Sequence, residues 1–215
     1  MFIFAEQCCR KMNVEVVKGI LKDKCVGIAG CGGLGSNAAV ALVRSGIGRL
    51  ILADFDRVEV SNLNRQFYFR DQIGMLKVEA LRDNLLAINP ECEIEIHQLH
   101  IETSDVRPLF NHCQVLIEAF DQAASKAMLV EAMISNLPDV PMILGNGMAG
   151  IGGFSTIGCS RWSDNIYVCG DLQTEISPTM SPMAARVGIV ANLQADTAIQ
   201  LLLGVQPDCG SGIVY

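Results

Sequence analysis

Long apolar runs are missing from this sequence, although 50% of its residues are hydrophobic and its mean hydropathy is +0.34. No stretch approaches the ~18 uninterrupted apolar residues of a transmembrane helix, so we expect no membrane span. The N-terminal run Met1-Phe2-Ile3-Phe4 is too short for the core of a signal peptide, and Glu6 follows it instead of a small-residue cleavage site. We therefore predict a cytoplasmic protein.

Paired cysteine motifs are missing as well. The chain has nine cysteines, an odd number, and none of them form a C-x-x-C pair. This pattern supports neither a disulfide framework nor a four-cysteine zinc site. We therefore expect reduced thiols and no structural zinc.

Positive charge and histidine are scarce. The chain has 16 Lys and Arg against 23 Asp and Glu, which gives a net charge of −7. Such a chain repels nucleic acid, and it has no basic stripe with interleaved aromatics, so we exclude nucleic acid as a partner. Of the three histidines, His97 and His100 lie on an alternating stretch and His112 at a predicted helix end. We interpret these three histidines as surface or helix-capping residues.

What the sequence does have is a glycine-rich turn, Gly30-Cys31-Gly32-Gly33-Leu34-Gly35, between a predicted strand at 24–29 and a helix-like run at 36–43. A strand that turns on glycines into a helix gathers free backbone N–H groups and the positive end of a helix dipole in one small volume. That volume suits a phosphate. The candidate phosphate-binding residues are Gly30, Gly32, Gly33, Leu34 and Gly35.

An acid follows the second predicted strand, at 49–53. Asp54 comes nineteen residues after Gly35, close to the ~20 expected for an acid that binds a ribose. A nucleotide site is the prediction. Which nucleotide stays open at this point, because this kind of turn serves NAD, FAD and ATP alike.

The remaining pattern predicts one α/β domain over 1–215, with a lead-in helix in 1–23 and a nucleotide-binding core at 24–204. We predict a doubly wound, Rossmann-like, mostly parallel sheet. Segments 154–158 and 165–168 are expected to pair as an antiparallel C-terminal edge, followed by a crossover at 170–182. The other predicted strands lie at 93–99, 114–118 and 141–145, and the other predicted helices at 75–88, 106–111, 123–136 and 183–203.

Polar and charged residues surround the glycine turn in this scheme. The run Ser61-Asn62-Leu63-Asn64-Arg65-Gln66 lies in a long loop, and long loops in compact domains are usually functional. Arg65 and Lys77 supply two cations for a triphosphate, and Asp121 supplies carboxylate oxygen for magnesium. Asp56 stands beside Asp54 at the end of the second strand. These residues favour an ATP site.

The same residues resemble a known family. The glycine turn, Asp54-Phe55-Asp56, the run from Ser61 to Gln66, Gly74-x-x-Lys77, Asn89-Pro90 and Asp121 are similar to successive motifs of the ThiF/MoeB/ubiquitin-activating enzymes. The resemblance covers about residues 25–204. The chain length, Glu118-Ala119-Phe120-Asp121 and Val168-Cys169-Gly170-Asp171 look most like the smaller ThiF proteins of thiamine biosynthesis.

The resemblance implies adenylation of a small ubiquitin-like sulfur carrier, similar to ThiS, by Mg-ATP. The C-terminal glycine carboxylate of the carrier attacks the α-phosphorus and pyrophosphate leaves. A terminal carboxylate has a pKa of about 3.5, so it is ionised at neutral pH and needs no general base. By the same resemblance Asp54 holds the ribose and Asp121 the magnesium, while the phosphates contact Asn62, Asn64, Arg65 and Lys77. The implied ATP site also includes Asp56, Ser61, Gln66 and Gln122.

Some positions depart from the family pattern. Gln122 replaces the Asn that follows the aspartate, and Lys126 replaces a later Arg, which keeps the charge without a bidentate fork. Relatives have a cysteine that forms a thioester or persulfide, for which Cys169 is the candidate, and an arginine that reaches into the partner subunit, for which Arg10 is the candidate. The family further implies a homodimer.

Two alternatives remain from the sequence. A nicotinamide- or flavin-dependent oxidoreductase uses the same glycine turn, and the polar loop with Lys77 argues against it. A non-catalytic module that binds a ubiquitin-like protein would share the fold, and the presence of Arg65, Lys77 and Asp121 argues against that.

Overall fold

One sheet of eight strands organises the protein, in the order β3-β2-β1-β4-β5-β7-β6-β8. The computed structural model describes residues 12–211. The strands are β1 (Cys25–Ala29), β2 (Arg49–Ala53), β3 (Glu93–His97), β4 (Val115–Glu118), β5 (Met142–Gly145), β6 (Gly158–Ser163), β7 (Ile166–Gly170) and β8 (Gly210–Ser211).

Six helices of eight or more residues connect these strands in the described part of the chain. They are α1 (Val14–Leu21), α2 (Gly33–Ser45), α3 (Lys77–Ile88), α4 (Thr103–Phe110), α5 (Ala123–Asn136) and α6 (Ala184–Leu202). Helices α2 and α6 contact each other on one side of the sheet, and α4 and α5 contact each other on the other side. Two hydrophobic clusters, one for each face, therefore sandwich the sheet.

The parallel half of the sheet confirms the predicted Rossmann-like class. Strand β1 pairs in parallel with β2 on one side and with β4 on the other, and all five of its residues are buried. Burial of both faces explains why this stretch is continuously apolar instead of alternating. Strand order reverses between β1 and β4, which opens a crevice at their carboxyl ends.

The C-terminal edge is mixed, as predicted, but its strands are shifted along the chain. Strand β6 runs antiparallel to β7, β8 runs parallel to β6, and β7 is parallel to β5. The predicted strand at 154–158 is wrong, because Phe154–Thr156 forms a 3-10 turn and β6 begins at Gly158. Gly150, Gly152 and Gly153 have positive φ angles, so the chain is still turning there.

The prediction of reduced thiols is wrong for one pair. Cys159 on β6 and Cys209 before β8 form a disulfide, because the pairing of β6 with β8 brings these two distant positions together. The free cysteines of the described residues are all buried: Cys25, Cys31, Cys92, Cys113 and Cys169. Over residues 12–211, no helix combines the length and apolar character that crossing a bilayer requires.

Candidate functional site

A cavity of about 800 Å³ lies at the carboxyl ends of β1, β2, β4 and β5. Its position is the crevice where open α/β sheets bind ligands. Most residues predicted for the nucleotide site line it: Gly30, Gly32, Gly33, Leu34, Asp54, Asp56, Arg65, Gln66, Lys77, Asp121 and Gln122.

Close packing requires glycine at two positions of the turn, Gly30 and Gly35, whereas a third position, Gly32, has room for a Cβ. Gly30 has a φ of +96°, and a Cβ there would lie 2.8 Å from the carbonyl oxygen of Ala119. A Cβ on Gly35 would collide with the carbonyl of Gly30. At Gly32 the nearest atom, Nε2 of Gln66, would be 3.8 Å away, an ordinary van der Waals contact, so a Cβ would fit there.

The amino end of α2 points its unpaired groups toward this space. No side chain of the described residues caps the helix at Gly32. The first N–H groups of a helix have no partner within the helix, and its dipole adds partial positive charge. The turn is therefore suited to an anion, and phosphate is the standard occupant of such a geometry.

Three side chains that the sequence interpretation missed hold the polar loop against the glycine turn. Ser36 Oγ accepts a hydrogen bond from the Phe67 N–H at 3.0 Å, and Asn37 Nδ2 donates to the Arg65 carbonyl at 2.9 Å. The Tyr68 hydroxyl, which is buried, donates at 2.7 Å to a carbonyl of the turn. Ser36 and Asn37 could have been noticed in the sequence, because they are polar residues in an otherwise apolar part of α2 and buried polar groups need hydrogen-bond partners.

Arg65 presents a cation that no acid neutralises within residues 12–211. Its Nη1 donates to the Ser61 carbonyl at 3.1 Å and to Oδ1 of Asn64 at 2.8 Å, and both of these acceptors are uncharged. Its stem lies beside the glycine turn, 3.7 Å from the position of a Cβ on Gly33. The guanidinium charge therefore remains at the cavity for an anionic ligand.

Lys77 is held differently. Its Nζ lies 2.6 Å from Oδ2 of Asp56, and the residue is only 6% exposed. The Lys77 N–H also donates to the Asp56 carbonyl at 2.9 Å, so main chain and side chain fix the same pair. Asp56 thus positions the Lys77 ammonium group at the cavity wall.

Asp54 is anchored at the floor beside the glycine turn. Its Oδ2 accepts from the Cys31 N–H at 2.6 Å and its Oδ1 from the Asp56 N–H at 2.8 Å. Burial raises the pKa of the Asp54 carboxyl, while Lys77 and these hydrogen bonds oppose the increase. Each oxygen has a further lone pair for a donor such as a ribose hydroxyl.

A buried ion pair underlies the Asp121 side of the cavity. The Lys126 Nζ lies 2.8 Å from both carboxylate oxygens of Glu118 and 3.0 Å from the Gly145 carbonyl. Glu118 Oε1 also accepts from the Phe120 N–H at 2.6 Å, which shapes the loop that carries Asp121. Burial raises the pKa of Glu118, and Lys126 opposes this effect. The sequence interpretation did not assign Glu118 to the site; an acid ending an apolar strand was the available signal.

An apolar lobe of the cavity includes His100, which is an exposed residue, as the sequence interpretation expected. The rings of Phe55 and His100 lie 5.0 Å apart and both line the cavity. Leu99, Ile101 and Val130 line the same lobe. Such a lobe suits a flat ring that buries its faces.

Four predicted residues do not line the cavity: Gly35, Ser61, Asn62 and Asn64. Asn62 is 9% exposed, and its Oδ1 accepts from the Glu59 N–H at 3.0 Å, so it shapes the loop that carries Arg65. Contacts of Asn62 and Asn64 with phosphate, and of Ser61 with ATP, stay predictions.

The predicted activation of Cys169 is not met in this structure. Its thiol is 0% exposed, does not line the cavity and lies 3.8 Å from the Thr197 hydroxyl. Burial raises the pKa of Cys169 to about 12, the opposite of an activated thiolate. Arg10, the other candidate, lies outside the described residues.

Comparison with known proteins decides the family. The model of the ThiF family matches residues 9–212. This chain belongs to the ThiF family. The resemblance of its sequence motifs is thereby confirmed for nearly the whole chain.

ThiF-family relatives include ubiquitin-like modifier-activating enzyme 5 of Caenorhabditis briggsae, 51% identical over 85 residues, and that of Drosophila persimilis, 45% identical over 102 residues. These alignments cover 40% and 46% of this chain, but only 20% and 27% of the relatives. The chain therefore spans about a quarter of the length of the curated relatives it matches.

Solved structures share the ThiF-type fold. One is E. coli tRNA N6-threonylcarbamoyladenosine dehydratase in complex with ATP, with a TM-score of 0.79 and 22% identity, covering 88% of this chain and 90% of that one. Another is E. coli MccB with ATP, with a TM-score of 0.67 and 24% identity, covering 87% of this chain and 58% of that one.

Proposed function

We propose that this protein is an ATP-dependent adenylyltransferase that activates the C-terminal glycine carboxylate of a small ubiquitin-like protein. The observation that carries the proposal is the cavity in which the uncapped amino end of α2, the Arg65 guanidinium, Lys77 and Asp121 meet. A dehydrogenase would instead need an acid or base beside the hydride-transfer site, commonly a His or a Tyr-x-x-x-Lys pair.

The parts of ATP have complementary surfaces in the cavity. The phosphates would contact the N–H groups at Gly32 and Gly33, with Arg65 and Lys77 as counter-charges. The ribose hydroxyls would bond to Asp54. The adenine would lie in the apolar lobe beside Phe55 and His100. The E. coli proteins with the same fold that were solved with ATP support this assignment.

Magnesium is part of the proposal. The described residues contain no group of three or more acids, histidines or cysteines that would form a protein cage for a metal ion. One carboxylate nevertheless fits Mg²⁺, which keeps several waters and is bound mostly through substrate phosphates. Asp121, exposed at the cavity, would be that ligand. The ion would add positive charge to the phosphates when it is bound.

The proposed chemistry needs positioning and charge rather than a base. The attacking carboxylate is ionised at neutral pH, and its approach to the α-phosphorus in line with the leaving pyrophosphate is the demanding requirement. Arg65 and Lys77 would stabilise the charge that develops on the phosphate oxygens. Because Asp56 and the polar loop hold these cations in place, little reorganisation is needed at the moment of reaction.

Other lining residues of the cavity suit the tail of the second substrate. They are Asn146, Met148, Trp162, Thr174, Ile176 and Pro182. The names of the relatives, ubiquitin-like modifier-activating enzymes, support a ubiquitin-like partner. The narrower proposals from the resemblance in sequence motifs are a ThiS-like sulfur carrier of thiamine biosynthesis and a homodimeric enzyme. A cytoplasmic location is proposed from the N-terminal sequence.

ATP–pyrophosphate exchange tests the activity. Exchange should require Mg²⁺ and a carrier with a C-terminal Gly-Gly, and a ThiS-like protein and a ubiquitin-like modifier should be compared as carriers. Arg65→Ala and Asp121→Ala should each lower exchange by about 10²–10³-fold, the scale for loss of one transition-state contact. Arg70→Ala is the matched control, because Arg70 is exposed and does not line the cavity.

Two other results would contradict the proposal. ATP binding without exchange for any Gly-Gly carrier would favour the non-catalytic binding module. Binding of NAD or a flavin in preference to ATP would favour the oxidoreductase.

A further inference from the structure

Two cysteine thiols are in contact near the amino end of β1, at the opposite end of this strand from the cavity. The Sγ atoms of Cys25 and Cys113 lie 3.7 Å apart. Cys25 begins β1, whereas the glycine turn follows the other end of that strand, about 17 Å away at 3.3 Å per residue. The thiol pair is therefore separate from the proposed nucleotide site.

Backbone and side-chain hydrogen bonds fix the position of Cys113 relative to Cys25. Gln114, next to Cys113, donates its N–H to the Cys25 carbonyl at 3.0 Å, and its Oε1 accepts from the Cys25 N–H at 2.7 Å. The pairing of Val26 with Val115 places Gln114 opposite Cys25, so Cys113 is a diagonal neighbour of Cys25. A disulfide has an S–S distance of about 2.05 Å, so the two sulfur atoms must approach each other by about 1.7 Å.

The two thiols also differ in their tendency to ionise. The hydrogen bond from Cys113 lowers the pKa of Cys25, Arg49 adds to the effect, and burial together with Glu93 and Glu95 opposes it. The same contact raises the pKa of Cys113. Cys25 is also the register partner of Arg49 on the adjacent strand β2, which places a cationic residue beside this cysteine, and we take Cys25 as the attacking cysteine and Cys113 as the resolving one.

The remaining free cysteines of the described residues lack this arrangement. Burial raises the pKa of Cys92 to about 11 and that of Cys169 to about 12, and it raises the pKa of Cys31 well above its usual value. Cys25 is 7% exposed and Cys113 is 4% exposed, so a small oxidant needs only a minor opening to reach the pair.

We propose that Cys25 and Cys113 form an oxidation site, which hydrogen peroxide converts into an intramolecular disulfide. The Cys25 thiolate attacks one peroxide oxygen, so that an S–O bond forms, the O–O bond breaks and the hydroxide released takes up a proton as water. The Cys113 sulfur then attacks the Cys25 sulfur, the S–S bond forms, and the S–O bond breaks to release hydroxide, which takes the Cys113 proton. The two thiols lose two electrons and two protons in total, and the peroxide becomes two waters.

Peptide mapping of the full chain tests the site. After peroxide treatment, denaturation and alkylation, we expect a peptide that links Cys25 to Cys113, about 2 Da lighter than its two reduced components and released by dithiothreitol. Cys92→Ala is the matched control and should give the same linked peptide. Recovery of Cys25 and Cys113 as separately alkylated peptides after oxidation would overturn the proposal.

A second variant tests the roles of the two thiols. In Cys113→Ala the linked peptide is lost, and we expect a sulfenic acid at Cys25 that dimedone labels at least tenfold more than any other cysteine of residues 12–211, because reactivity follows the thiolate fraction. Equal or greater labelling elsewhere would overturn the assignment of Cys25 as nucleophile. If Cys113→Ala does not fold, Arg49→Gln replaces it, with slower oxidation of Cys25 expected and an unchanged rate refuting the assignment.

Discussion

Replacement of Lys126 by methionine should destabilise the protein in a manner that depends on pH. The substitution leaves the Glu118 carboxylate, which is 0% exposed, without its counter-ion. Loss of one member of a buried pair costs about 3–5 kcal/mol. The Lys126 side chain is 26% exposed, so we expect the lower end of that range, about 3 kcal/mol of unfolding free energy at pH 8.

The sign of the pH dependence follows from the raised pKa of Glu118. Burial makes the ionised form of Glu118 unfavourable in the folded state, and this penalty is present above the raised pKa. It disappears as pH falls through that raised pKa toward the ordinary value of 4.5, because the folded state then binds the proton first. The deficit of Lys126→Met relative to wild type should therefore shrink between pH 8 and pH 5.

Urea unfolding followed by circular dichroism at both pH values measures this deficit. The double variant Glu118→Gln with Lys126→Met should recover more than half of the lost stability, since no buried charge remains. Lys22→Met, at an exposed lysine, is the control and should change stability by less than about 0.5 kcal/mol. A deficit that is equal at both pH values, or a double variant as unstable as the single one, would refute the reasoning.

Four further substitutions test the packing in and near the cavity. Gly35→Ala forces a Cβ onto the Gly30 carbonyl, so we expect a large fall in melting temperature. Gly32→Ala should melt as wild type does, because its Cβ would make an ordinary contact with Gln66. Tyr68→Phe removes the hydrogen bond to the glycine turn and should cost about 1 kcal/mol in urea unfolding. Asp171→Asn weakens a buried ion pair between Asp171 and Arg186 of α6. Burial alone would raise the pKa of Asp171, but its hydrogen bonds and Arg186 outweigh burial and lower it. The substitution should cost about 3 kcal/mol of unfolding free energy at pH 7, and this cost should vanish as pH falls through the lowered pKa; calorimetry that finds the same cost at every pH would exclude this explanation.

The parallel half of the fold could be predicted because most of its strands are short apolar runs that end in a turn or a polar residue, and β3 is a short run of alternating polar and apolar residues. The edge could not be predicted as well, because glycine turns at Gly150, Gly152 and Gly153 delay β6 beyond the apolar residues that suggested a strand. Helix α2 begins at Gly33 instead of near residue 36, because packing of the helix under the turn outweighs the low helix propensity of glycine.

The candidate site also contains some residues that could be identified from the sequence and others that could not. The residues of the glycine turn, Arg65 and Lys77 were identifiable because their spacing is tied to strand ends, which meet at one edge of a sheet. His100 and Glu118 were not, because their places at the cavity depend on contacts between side chains of different segments: the ring of Phe55 for one, the ammonium group of Lys126 for the other. Sequence spacing does not report such contacts.

The two cations of the cavity show how the fold maintains charge next to a site for an anion. Asp56 balances the charge of Lys77 and so limits the cost of burying this ammonium group, whereas the oxygens that hold Arg65 among residues 12–211 are neutral. The Arg65 main chain is in turn fixed by Asn37 of α2. The fold therefore orients the Arg65 guanidinium group before any ligand binds. An incoming polyphosphate does not have to displace a carboxylate from this group.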